Sequence, residues 1–165
     1  MKCLFLLIAL AVSIPAFANP LSDTWSNCDV ETDGNELDHY ITFGKNNVMF
    51  EAYMFTKPSK TPCGGAYVMS IGMYWHYATA GKFLNQTSFS SYLIIHDPGL
   101  IKKANTGKLC GKSNWKLEEK IDCSDDKHLK SELGRGRKAM LEYSLVGGEL
   151  HLVEEGKVII YKKVD

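Results

Sequence analysis

Leu37, His39, Ile41 and Phe43 alternate with Asp38, Tyr40 and Thr42, the two-residue period of a strand with one buried face. The same period returns along the chain between turn signals. Gly44-Lys45-Asn46-Asn47 reverses the direction into residues 48–55, where Val48, Phe50, Ala52 and Met54 share one face and Glu51 takes the other. In the long apolar stretch 66–80, Tyr67, Met69, Ile71, Met73 and Trp75 fall together, opposite Ser70, Gly72 and His76. Gly72 predicts a bend or bulge there. Residues 89–96 form another strand, stopped by Asp97-Pro98-Gly99. A short first segment over 25–31 ends at the turn signal Thr32-Asp33-Gly34-Asn35. The C-terminal part reads as a three-stranded meander: Leu141, Tyr143 and Leu145 alternate up to Gly147-Gly148, Leu150 and Leu152 up to Glu155-Gly156, and 158–163 closes it.

About eight strands result, with little helix. Residues 56–65 are a loop, since Pro58, Pro62, Gly64 and Gly65 cannot sustain a ladder. Residues 100–124 are irregular, with room for one helical turn, and 125–138 are a long exposed loop or a surface helix broken at Gly134. Strands joined by short turns pair antiparallel, and closing the sheet on itself hides its edges. The expectation is an all-β, antiparallel up-and-down barrel; a β-sandwich is the alternative. An eight-stranded barrel is just wide enough to be filled by side chains or to hold one small ligand.

The N-terminus sets the chemistry available to the cysteines. Lys2, an apolar run over 3–12 and Ala16-Phe17-Ala18 together read as a secretory signal peptide removed after Ala18. The run is too short for a permanent span, which needs about 20 residues. The expected domain is 19–165, exported to the periplasm or beyond. Cys3 leaves with the signal, so Cys28, Cys63, Cys110 and Cys123 remain. In an oxidising compartment four cysteines imply two disulfides, here expected as Cys28–Cys63 and Cys110–Cys123. The second closes a short loop, a constraint of about 3 kcal/mol. None of the four lies close enough to another for the paired short spacings of zinc sites.

Charge and motifs exclude several classes. The chain has 19 basic and 19 acidic residues, and losing Lys2 leaves one acidic residue in excess. Such a balance gives no field for nucleic acid or an anionic membrane. Gly111-Lys112-Ser113 is not a phosphate loop, because only three residues separate Gly107 from Gly111. Ser113-Asn114-Trp115-Lys116 and Ser124-Asp125-Asp126-Lys127 both match S-x-x-K without its companion elements. Of the histidines, His39, His76, His96, His128 and His151, none forms a metal-binding pair motif, and only His39 sits on an otherwise apolar face. Arg135, Arg137 and Lys138 are diluted by Asp125, Asp126 and Glu132, as in a solvated loop. No cofactor is implied.

Four stretches carry a family likeness: DTWSNC (23–28), LCGKSNW (109–115), KIDC (120–123) and EYSLVGGEL (142–150). Together they resemble small exported bacterial lipocalin-like proteins of calycin type. In that family a tryptophan of the first strand closes one barrel end; Trp25 takes its place, with Asp23 where the family carries glycine. The resemblance implies a barrel that binds a small apolar molecule or another protein.

The residues themselves point the same way. Phe50, Met54, Tyr67, Met69, Met73 and Trp75 form an adaptable apolar and aromatic stripe, as a ligand-holding lining would. A filled barrel is the alternative use of the same side chains. Two further function classes stay open: an interaction factor acting through loops 56–65 and 125–138, and an enzyme whose His39, His76 or His96 meets a carboxylate in the fold.

Overall fold

The computed structural model describes residues 21–30 and 34–165. The signal segment expected over 1–18, with Cys3, and Thr32-Asp33 of the first turn lie outside them. Nine strands occur among the described residues: β1 (Thr24–Val30), β2 (Glu36–Phe43), β3 (Val48–Thr56), β4 (Tyr67–Ala80), β5 (Phe83–Ile95), β6 (Ile121–Asp122), β7 (Lys138–Val146), β8 (Glu149–Glu154) and β9 (Lys157–Lys163). β1 to β5 pair in chain order, β5 passes to β7, and β7, β8 and β9 lead back to β1. Eight antiparallel strands therefore close into an up-and-down barrel of lipocalin-like architecture, and closure removes the β-sandwich alternative. β6 only extends the β5 edge, pairing Tyr92 with Asp122 and Leu93 with Ile121.

The turns follow from their residues. Gly147 and Gly148 join β7 to β8 with φ of 61° and 88°, the double left-handed geometry that suits a two-residue hairpin. Gly72 has a different task from the expected bend. The β4–β5 register slips at Tyr74/Trp75 and the β3–β4 register at Phe55/Thr56. At Gly72 a Cβ would stand 2.3 Å from Cζ of Tyr92, so glycine is needed because the Tyr92 ring lies against bare backbone.

Two segments expected to be irregular are ordered by caps and anchors. Residues 98–107 form helix α1 (Pro98–Gly107), where Gly99 N donates to Asp97 Oδ1 at 2.8 Å. The Asp-Pro-Gly that reads as a turn is thus an N-cap followed by proline in the first helical turn. Leu100, Ile101 and Ala104 turn inward onto the core. Residues 125–138, including the single turn α2 (Lys130–Leu133), are tied to β5. Ser88 Oγ donates to Gly134 O at 2.6 Å and Ser91 Oγ to Leu133 O at 2.7 Å. This segment covers the part of β5 beyond its ladder with β7, which runs only from Phe83 to Thr87.

Cys28 and Cys63 lie at bonding distance with Cα atoms 6.0 Å apart, as do Cys110 and Cys123 at 5.0 Å, the pairing expected. Cys63 pins loop 57–66 to the outer wall. There the buried Glu36 carboxylate accepts from Cys63 N at 2.8 Å, Ser59 N at 3.2 Å and Thr56 Oγ1 at 3.3 Å, which offsets the cost of burying its charge.

Candidate functional site

The register of β2 against β3 decides what enters the barrel. Phe43 stands opposite Met49, so Ile41 faces Glu51 and His39 faces Tyr53. The inward face of β3 is therefore Met49, Glu51 and Tyr53, while Phe50 and Met54 point outward. β4 contributes Ile71, Met73, Trp75 and Tyr77 to the interior, since Met73 faces Glu51 and Trp75 faces Met49.

At one end the interior is packed, although a hollow of about 690 Å³ lies at its rim, lined by Ser22, Phe43, Gly44, Asn46 and Tyr77 among others. Trp25, Phe43, Met49, Trp75, Leu84 and Leu150 are all nearly inaccessible, and Leu21 lies across the end, its carbonyl accepting from Trp25 Nε1 at 3.5 Å. Packing of this kind resembles the inside of any close-packed core.

The other end is built differently. His39 Nε2 lies 3.1 Å from Glu51 Oε1, Tyr53 OH donates to the same oxygen at 2.8 Å, and Tyr161 OH meets His39 Nδ1 at 2.8 Å. The His39 and Tyr53 rings stack with centroids 4.0 Å apart. An ionised carboxylate only accepts, so His39 Nε2 carries a proton toward Glu51; in the neutral imidazole Nδ1 then accepts from Tyr161.

Burial pushes the Glu51 carboxyl up, but the hydrogen bond and charge of His39, then Tyr53 and Trp75, outweigh it and hold the group below its ordinary 4.5. Trp75 Nε1 lowers it without completing a hydrogen bond, being buried without a partner of hydrogen-bond geometry. Burial, then the Glu51 charge, pushes the Tyr53 and Tyr161 hydroxyls well above the ordinary phenol range.

Above this cluster the barrel wall parts. β9 meets β1 through only two residue pairs, Trp25–Lys163 and Ser26–Lys162. Beyond them the strands diverge, spanned by Asn27 Nδ2 donating to Ile160 O at 2.8 Å. The gap opens into a hollow of about 500 Å³ lined by Asn27, Leu37, His39, Tyr53, Ile159 and Tyr161 among others, a size that suits a small molecule. A second hollow of about 360 Å³ lies between the ends of β4 and β5 and helix α1, lined by Met69, Ile95, Leu100, Ala104 and Leu109.

The six side chains expected to line one cavity are thus dispersed. Met73 and Trp75 are buried beside Glu51, and Met69 lines the second hollow. Tyr67 is 40% exposed at the start of β4. Phe50 belongs to an outer aromatic cluster, 5.0 Å from Tyr74 by ring centroids, near Tyr92, over which Lys120 Nζ sits at 3.6 Å. Met54 shares that outer face.

The cluster's centre, Glu51, and its second tyrosine, Tyr161, were not among the residues singled out. The signal for Glu51 was present: a turn over 44–47 fixes its register onto the His39 face. Among the described residues no three His, Cys, Asp or Glu side chains converge as for a metal ion, and no helix is long and apolar enough to cross a membrane.

No protein-family model matches the chain, and no curated protein matches it by sequence. Among solved structures it is similar to a lipocalin-like protein from Bacteroides uniformis, at 15% identity over 87% of this chain and 98% of that one, with a TM-score of 0.39.

Proposed function

We propose that this chain is an exported binding protein that takes one small, largely apolar molecule into the mouth between β1 and β9. The apolar body rests on Leu37 and Ile159, and a polar group meets the His39–Glu51–Tyr53–Tyr161 floor, with Met73 and Trp75 behind it. The observation that carries this reading is the position of a buried, hydrogen-bonded His39–Glu51 pair directly beneath an opening in the wall. A core needs no such pair, because well-packed apolar residues are often as stable or more so. Export is supported by the signal-like N-terminus and the two cystine pairs.

The test uses anilinonaphthalene sulfonate and a medium-chain fatty acid as probes, read by probe and tryptophan fluorescence. Leu37→Trp and Ile159→Trp fill the mouth and should abolish binding, whereas Met69→Trp, at the second hollow, should leave it intact. Undiminished binding by both mouth variants would remove the mouth as the site.

A further inference from the structure

Three side chains on the outer wall share a geometry that the mouth does not use. Ser70 Oγ lies 2.7 Å from His96 Nε2, and His96 Nδ1 lies 2.7 Å from Glu118 Oε2. They come from separate parts of the chain: β4, the corner after β5, and the segment between the α1 region and β6. We propose that Ser70, His96 and Glu118 are a nucleophile, base and orienting carboxylate for acyl transfer from carboxylic esters, an activity independent of the mouth.

The atom order is what this chemistry requires. A carboxylate accepts only, so Nδ1 carries the proton shared with Glu118. That leaves the Nε2 lone pair facing the Ser70 hydroxyl, the tautomer a general base needs. The backbone that carries the imidazole is anchored, since His96 N and Asp97 N both donate to Val68 O, at 3.0 and 3.1 Å.

Glu118 is held at a cost. Its φ is 60°, an uncommon conformation for a residue with a side chain, and its N–H donates to Ile95 O at 2.9 Å. The same segment is fastened by the Cys110–Cys123 pair and by Trp115, whose Nε1 donates to Leu109 O at 3.0 Å. Strain of this kind persists only where surrounding contacts over-determine it.

Exposure is graded along the array. The Glu118 side chain is 61% and the His96 side chain 19% exposed, while Ser70 is 8% exposed as a residue. Ser70 lies across from Met54 on β3 and Ile94 on β5, and the half-exposed Tyr67 ring stands 6.2 Å from the imidazole. An ester thus approaches Ser70 over an apolar and aromatic shelf made by Met54 and Tyr67.

In the reaction His96 Nε2 takes the Ser70 proton as Oγ bonds to the carbonyl carbon and the C=O electron pair moves onto oxygen. Return of that pair expels the alkoxide, which takes the proton from Nε2 and leaves Ser70 acylated. Water then attacks the acyl carbon and gives a proton to Nε2. Collapse releases the acid, and the proton returns to Oγ. Water is the only co-reactant.

The experiment treats the native, disulfide-bonded protein with a fluorophosphonate, which phosphonylates activated serines with loss of fluoride, and locates the adduct by peptide mass spectrometry. The adduct is expected on Ser70 and not on the urea-unfolded chain. His96→Gln should slow labelling roughly a hundredfold. Glu118, a positioning residue, should slow it roughly tenfold or more as Glu118→Gln, with part of the rate restored in Glu118→Asp. A wild-type protein unlabelled at Ser70, or labelling that survives unfolding or His96→Gln, would show the array to be a structural fastening and overturn the proposal. The mouth variant Leu37→Trp should label at the wild-type rate; a lost adduct there would overturn the independence of the two sites.

Discussion

The same strands close the two ends of this barrel with different chemistry. β2 sends Phe43 to one end and His39 toward the other, with Ile41 level with Glu51 between them; β3 sends Met49 to the first and Glu51 and Tyr53 toward the second. At the packed end each large side chain contributes by leaving water, on the order of 2–3 kcal/mol when fully buried, and no partner is indispensable. At the mouth the polar atoms depend on a few named neighbours, Glu51 Oε1 on His39 and Tyr53, and His39 Nδ1 on Tyr161. Removal of a single partner leaves a buried group unsatisfied in a low dielectric, where that is most costly. On the proposed function, the difference separates a stability element from a ligand element: the first can be dense, the second must keep space above a fixed polar floor.

The largest expected effects test this separation directly. Trp25→Ala should destabilise by about 3–5 kcal/mol through the cavity it leaves, read as a shift in urea unfolding, with nearly the same cost at neutral and acid pH. Glu51→Ala should cost about 3 kcal/mol at neutral pH, since it strips His39 and Tyr53 of their partner, but its pH dependence differs. The folded carboxyl sits below its ordinary 4.5. Its contribution is therefore complete above that value and is lost as pH falls through the folded-state value. The gap between wild type and Glu51→Ala should narrow on acidification while the Trp25→Ala gap holds. Equal gaps at all pH values would mean that the mouth is stabilised like the packed end.

A smaller effect, of opposite sign, sharpens the contrast. Replacing the whole cluster, His39→Leu and Glu51→Leu with Tyr53→Phe and Tyr161→Phe, leaves no orphaned hydroxyl. Such a protein should be as stable as wild type or more so, by about 1–2 kcal/mol, and should hold ligands with polar heads less tightly. Marked loss of stability instead would make the cluster a folding element and weaken the case for the mouth.

The sequence displayed the barrel far better than it displayed the site. Alternation through 37–43 placed His39 among Leu37, Ile41 and Phe43, and the structure keeps all four on one face. The cystine pairs and the closing meander were legible for equally local reasons. β3 was not, because Val48, Phe50, Ala52 and Met54 are as apolar as the face that is buried. With two candidate faces, a glutamate reads as the solvent side unless the hairpin register is followed residue by residue. Phe50 and Met54 then go outside, Phe50 among the Tyr74 and Tyr92 rings. Helix α1 escaped because Asp97-Pro98-Gly99 serves both a turn and a capped start, and only the apolar Leu100, Ile101 and Ala104 behind it decide between them. The divergence of β1 from β9 was beyond reach, since it depends on two strands more than a hundred residues apart ceasing to pair.

The smallest effect concerns the outermost link of the cluster. Tyr161→Phe removes one hydrogen bond to His39 Nδ1 and should cost about 1 kcal/mol, well below the loss at Glu51. Its signature lies in alkali. Burial and the Glu51 charge hold the Tyr53 and Tyr161 hydroxyls above their ordinary value of 10, so the stability they confer is complete below pH 10 and declines as pH rises beyond it. An ultraviolet titration of the native protein should therefore leave these phenols silent until the barrel unfolds, and Trp25→Ala, already less stable, should release them at lower pH than wild type. In Tyr161→Phe the unfolding step should carry one phenol fewer. Early ionisation of Tyr53 or Tyr161 in the intact barrel would mean that the mouth admits water freely to its floor, and the contrast between the two ends would then be one of solvent access and not of partnered charge.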